Sequence, residues 1–136
     1  MAGIDASLYA HSPVHRAVVM KDHAGLRRIL AALPRLADPG ELRTEAESMR
    51  EEEKADAIAS VIDRRDVPHR DTPLHLAVKL GDVTATEMLM AAGADWSLQN
   101  ERGWNALQEA ICNREEGIAV AIVRHSQALA WAKWSR

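Results

Sequence analysis

This chain repeats itself, and the length of the repeat limits what it can fold into more than any other feature. Thr72-Pro73-Leu74-His75-Leu76-Ala77 is followed by Gly81 and then by Met88-Leu89-Met90-Ala91-Ala92-Gly93-Ala94-Asp95. A second copy begins at Gly103-Trp104-Asn105-Ala106-Leu107-Gln108-Glu109-Ala110, so that Asn105 stands 33 residues after Thr72. A third copy, Ser12-Pro13-Val14-His15-Arg16-Ala17, precedes Thr72 by 60 residues, one period plus an insertion of 27. Such periods belong to arrays of small structural units that cannot bury an apolar face alone and do so by stacking.

Each residue of the pattern has a physical task. Thr72 is placed to cap a helix, and Pro73 sits where a missing N–H costs nothing. Leu74 and Ala77 fall on one helical face and leave room for a neighbouring helix. Gly81 allows the turn into a second helix, and Gly93 ends that helix with a permissible positive φ. Asp95 to Gly103 then forms a projecting hairpin or turn. His75 stands where an imidazole can bond backbone and hydroxyl groups, a structural role rather than a catalytic one.

Composition agrees with stacked helices. The chain is 47% hydrophobic but only 4% aromatic, with four Trp, one Tyr and no Phe, so its core must come from Ala, Leu, Val, Ile and Met. With 27% charged residues and a formal charge of −3 it reads as one globular domain over residues 1–136. That balance also argues against a nucleic-acid partner, which needs a concentrated basic face. A single cysteine, Cys112, rules out an intrachain disulfide or a Cys-rich zinc site and suits a reduced, intracellular setting. No leader is read at Met1-Ala2-Gly3-Ile4-Asp5, and no stretch approaches the roughly 20 apolar residues of a membrane span.

The repeats are expected at about 10–62, 70–99 and 103–136, the first carrying an insertion at 34–60. It opens on breakers (Pro34, Asp38-Pro39-Gly40) and then turns helical. Leu42, Ala46, Met49, Ala57, Ile58, Val61 and Ile62 keep a spacing near 3.6, which predicts a long second helix or an extra helix leaning its apolar stripe on the stack. Glu51-Glu52-Glu53-Lys54 faces outward as a solvated or docking surface. The hairpin from Asp63 to Asp71 is unusually charged. Ile118-Ala119-Val120-Ala121-Ile122-Val123 is apolar nearly all round and is expected to be buried. Leu129, Trp131 and Trp134 follow, the two Trp reading as docking residues. A terminal repeat ordinarily turns a polar face outward; this one does not, so the chain reads as part of something longer.

Enzyme chemistry finds no footing. His11 and His15 have a spacing open to two metal ligands, but no acidic or Cys partner completes a site. Ser12 beside His15 is claimed by the capping pattern. The glycines are too scattered for a phosphate loop, and nothing near Cys112 lowers its pKa. The expectation is no enzyme, no cofactor and no metal.

The three copies resemble the ankyrin repeat, which implies an all-α solenoid of three helix-turn-helix repeats with a long helical insertion in the first. A narrower resemblance is to the N-terminal segment of ankyrin-repeat proteins that continue into a GPCR-chaperone-type domain, the plant members above all. It rests on His11-Ser12-Pro13-Val14-His15, Lys54-Ala55-Asp56-Ala57, Val61-Ile62-Asp63-Arg64-Arg65-Asp66-Val67-Pro68, Asp71-Thr72-Pro73-Leu74-His75-Leu76-Ala77-Val78-Lys79-Leu80-Gly81-Asp82, Asn100-Glu101-Arg102-Gly103-Trp104 and Trp131-Ala132-Lys133-Trp134. The resemblance implies a cytoplasmic, non-enzymatic adaptor, peripheral at endoplasmic reticulum or endosomal membranes in a full-length protein. Chaperoning or trafficking of membrane proteins would then belong to a region absent here, and membrane association to that region or a partner.

In an ankyrin stack the concave side is built by the ends of the first helices and by the hairpin tips. Val19 and Met20, Lys79 and Leu80, and Cys112 and Asn113 occupy equivalent groove positions. The hairpins add Arg64, Arg65, His69 and Arg70, then Gln99, Glu101, Arg102 and Trp104. Trp104 is expected at the surface beside Arg102, the composition of an interaction hot spot, whereas Trp96 packs inward. Met20, Leu80 and Cys112 make an apolar line where a solvated groove would be polar. The sequence therefore reads as a scaffold or adaptor binding another protein, with a bait surface for a pathogen effector as a further reading.

Overall fold

The computed structural model describes residues 6–34 and 44–134, with side chains described as far as Ser126. Asp38-Pro39-Gly40 and Leu42 lie outside the described residues, as do Met1 to Asp5 and the side chains of Leu129, Trp131 and Trp134. Among the described residues seven α-helices follow in order: α1 (Pro13–Val19), α2 (His23–Ala31), α3 (Glu45–Ile62), α4 (Pro73–Lys79), α5 (Val83–Ala91), α6 (Ala106–Cys112) and α7 (Glu116–Trp134). No strand occurs among the described residues.

Capping sets where the short helices begin. The side chains of Ser12, Thr72 and Asn105 accept from the backbone N–H of His15, His75 and Gln108, which fixes the first turns of α1, α4 and α6. Asp22 and Asp82 do the same for α2 and α5 by accepting from Gly25 and Ala85. Between the two helices of each pair the chain needs one left-handed residue. Gly81 supplies it at φ 68°, but Lys21 (φ 55°) and Arg114 (φ 57°) hold the same place in the other repeats, where a side chain makes it costly.

The pairs stack in two rows. Helix α4 packs between α1 and α6, while α5 packs between α2 and α7. Val14, Val18, Leu26, Leu74, Ala77, Val78, Leu89, Met90, Ala106, Ala110, Ile118 and Ile122 fill the shared core. The second helix of the first repeat is α2, so of the two forms expected for the insertion it is the extra helix, α3, that occurs. Two expectations about burial need correction. Helix α3 joins the core only through Ile58, Val61 and Ile62, leaving Ala46, Met49 and Ala57 exposed, with one turn of charge (Glu51 to Lys54) interrupting the stripe. In α7, Ile118, Ala121 and Ile122 are buried, but Val120 and Val123 are exposed.

Candidate partner-binding surface

The turns that follow α3 and α5 are pinned to one another. Asp95 N–H donates to Asp63 Oδ1 at 3.0 Å, Arg65 Nη1 donates to the Gln99 carbonyl at 3.0 Å, and Glu101 N–H donates to the His69 carbonyl at 2.9 Å. His69 Nδ1 also meets Glu101 Oε2 at 2.8 Å. The first turn is tied back to the start of the chain: Arg64 donates to the His11 carbonyl at 3.0 Å while its guanidinium grips the Asp66 carboxylate. That grip holds the Asp66 carboxyl down at about 2. Burial, with the Asp95 charge adding to it, pushes the Asp63 carboxyl up to about 6.

Beneath these turns lies a polar network that the repeat pattern does not announce. Buried Asn100 uses its whole hydrogen-bonding capacity. Its Nδ2 donates to Asp71 Oδ1 (3.0 Å) and Glu109 Oε1 (2.8 Å), and its Oδ1 accepts from the N–H groups of Arg102 (3.0 Å) and Trp104 (3.2 Å). Lys79 reaches back along α4 to Asp71 Oδ2 at 2.7 Å and lies 3.9 Å from Glu109 Oε1. Two buried carboxylates thus share one ammonium and one amide. The signal for it was Glu109, an acid one period after the apolar Leu76. Asn100 and Asp71 carried no such mark.

The histidines lock successive repeats. His15 Nε2 donates to the Asp71 carbonyl and His75 Nε2 to the Trp104 carbonyl, both at 2.8 Å. Their Nδ1 atoms face the Ser12 and Thr72 hydroxyls at 2.6 and 2.8 Å. Burial disfavours the imidazolium and lowers both pKa values, although the carbonyl bonds pull the other way.

The expected contact residues fall into two groups. Arg64, Arg65, His69, Arg70, Gln99, Glu101, Arg102 and Trp104 gather on the linked turns. The exposed Arg70 side chain has no hydrogen-bond or ion-pair partner among the described residues, and the Arg102 guanidinium lies 5.7 Å from the centre of the half-buried Trp104 ring. Val19, Met20, Leu80, Cys112 and Asn113 stand at the other ends of α1, α4 and α6, about 10 Å away by the rise of a seven-residue helix. Lys79 starts in that second row and turns toward the first. Met20, Leu80 and Asn113 are the C-cap residues, whereas Val19, Lys79 and Cys112 end the helices, so the line through Met20, Leu80 and Cys112 crosses two registers. Leu80 also packs against the core, as does Trp96. Among the described residues no cluster of His, Cys, Asp or Glu could hold a metal ion.

Residues 62–110 match ankyrin repeats (many copies). Curated relatives agree. Ankyrin repeat domain-containing protein 13B of Homo sapiens is 40% identical over 58 residues, 43% of this chain and 9% of that protein. Ankyrin repeat domain-containing protein 13C of Xenopus tropicalis is 39% identical over 56 residues, 41% of this chain and 11% of the relative. Its counterpart in Danio rerio is 38% identical over 63 residues, 46% of this chain and 13% of the relative. The chain therefore spans about a tenth of the length of the curated relatives it matches. With its helical pairs stacked in two rows, the fold is an all-α ankyrin-repeat solenoid. Ankyrin repeats bind other proteins, and no helix among the described residues is long and apolar enough to cross a membrane.

Proposed function

We propose that this chain is a non-enzymatic, cytoplasmic protein-interaction module that grips its partner with the linked turns and, beyond them, the C-terminal ends of the first helices. One observation carries the reading: Arg70 and the Arg102–Trp104 stack are presented on turns already fixed to one another by hydrogen bonds. A surface ordered before binding loses little conformational freedom on contact, and Arg and Trp are among the residue types enriched at binding hot spots. His69 (φ 64°) and Arg70 (φ 55°) are consecutive left-handed residues, and such strain clusters where a chain binds.

The test is affinity capture with the wild-type chain against an Arg102→Ala/Trp104→Ala variant, after both give the same melting temperature. A partner retained by the first and lost by the second supports the reading. If every partner binds the two equally, the turns are not the contact surface. A captured foreign effector would make the chain a bait. The resemblance to plant-like proteins with a GPCR-chaperone-type domain suggests an adaptor role in membrane-protein maturation at the endoplasmic reticulum or endosomes. Within a longer protein, deleting residues 1–136 while keeping the rest would separate the two tasks: client capture should fail if this module selects the client.

A further inference from the structure

We propose that the linked turns take an acidic peptide, its carboxylates seated on Arg65, Arg70 and Arg102. This partner chemistry rests on the turns being the contact surface, as proposed for the chain's function. The acids of the two turns are already satisfied from within. Arg64 grips Asp66, His69 meets Glu101, and Lys79 and Asn100 donate to Asp71 beneath them. Asp63 accepts from the Asp95 N–H, and Asp95 accepts from the N–H and hydroxyl of Ser97. The cations are not balanced in the same way. Among the described residues no carboxylate lies within ion-pair reach of Arg65, Arg70 or Arg102. Arg65 gives one N–H to the neutral Gln99 carbonyl, Arg102 lies against the Trp104 ring, and Arg70 stands exposed with neither kind of contact. Three positive charges are therefore left over on a surface whose negative ones are spoken for.

The chain as a whole carries a formal charge of −3, so this excess is local and is placed by the fold. A guanidinium presents a planar fork of donors that matches a carboxylate. Three of them, spread over two turns that hydrogen bonds hold together, suit a chain with several carboxylates better than one small anion. They do not suit a nucleic-acid strand. Neutralising a phosphate backbone takes a longer basic stripe. The half-buried Trp104 ring already has Arg102 beside it, and Trp96 packs against the core, so neither stands free as a platform for a base.

The test is fluorescence anisotropy with a labelled peptide of alternating Glu and Gly, set against a Gln–Gly peptide and a single-stranded oligouridylate. Wild type should bind the Glu peptide alone of the three, and more weakly as salt rises from about 50 to about 300 mM. Arg70→Gln should weaken binding about threefold and Arg70→Gln/Arg102→Gln about tenfold, the size expected of exposed ion pairs, whereas Arg70→Lys should keep most of it. All three variants should melt with the wild type, since neither guanidinium hydrogen-bonds to the rest of the described chain. A Glu peptide that binds no better than the Gln peptide overturns the proposal, as does one that the doubly substituted chain holds equally well. An oligouridylate bound as tightly as the Glu peptide overturns it too. Affinity capture separates this chemistry from the surface itself. Partners lost by Arg102→Ala/Trp104→Ala but kept in full by Arg70→Gln/Arg102→Gln leave the turns as the contact surface and refute the acidic partner. Partners indifferent to both variants refute the surface and the inference with it.

Discussion

Helix pair α4–α5 and the inserted helix α3 both read as amphipathic, yet they end in different situations. In α4, six consecutive residues from Pro73 to Val78 are buried, because neighbours approach on three sides: α1, α5 and α6. In α3, eighteen residues long, only Ile58 and Ile62 are buried. The helix of the repeat is made by its place in the stack, and the inserted helix stands by its own capping and composition. Thr44 caps it, Glu45 and Glu47 occupy its first turn, and a Glu51–Lys54 pair spans one turn at 2.8 Å. A stripe of apolar residues is therefore a weaker sign of burial than a fixed repeat position.

The contrast can be broken in order of expected size. Leu74→Ala should cost about 3 kcal/mol or more in chemical denaturation, as a fully enclosed leucine loses contacts on every side. Met49→Ala on α3 should change the same measurement by less than about 0.5 kcal/mol. Equal effects would mean that α3 is packed as tightly as the repeats. Asn100→Ala should cost about 2 kcal/mol, because it strands the Arg102 and Trp104 N–H groups and leaves Asp71 and Glu109 sharing Lys79 alone.

Asp63 sharpens the comparison at the junction of α3 with the turns. Its folded carboxyl keeps a proton up to about pH 6, while the unfolded chain releases it near pH 4. Stability contributed by this group is present at low pH and is lost as pH climbs through that window. Asp63→Asn retains an oxygen for the Asp95 N–H, so it should raise stability near pH 7.5 by about 2 kcal/mol and show no gain near pH 4. The smallest effect belongs to the helix turns. Arg114→Gly should stabilise by about 0.5–1 kcal/mol in thermal denaturation, since glycine accepts the left-handed conformation that Gly81 already supplies. Destabilisation there would mean that the Arg114 side chain has a contact worth more than the strain.

Much of the scaffold was legible because its determinants are local. Ser12, Thr72 and Asn105 cap their helices through atoms three residues away, and Gly81 and Gly93 sit at positive φ as turn chemistry requires. Lys21 and Arg114 were opaque, since nothing in those residue types asks for a left-handed turn; the stack imposes it. The turn surface was half legible. Its residues could be gathered by period, but the bonds that fix it end on main-chain groups 32 or 34 residues away, one from the Glu101 N–H and one from the Arg65 guanidinium, and no repeat position marks those acceptors. Lys79 read as a groove contact because its position faces the groove, and a long flexible stem let it bend to Asp71 instead.

The bonds donated by His15 and His75 have a consequence for how the molecule comes apart. Each imidazole belongs to one repeat and satisfies a main-chain oxygen at the threshold of the next, and His23 adds a further link to Asp82 at 2.6 Å. Peeling away either outer repeat would orphan a polar group on the one it leaves. Short helices that would fray if isolated are obliged to melt together, so a partner seated on the turns of one repeat steadies the whole array.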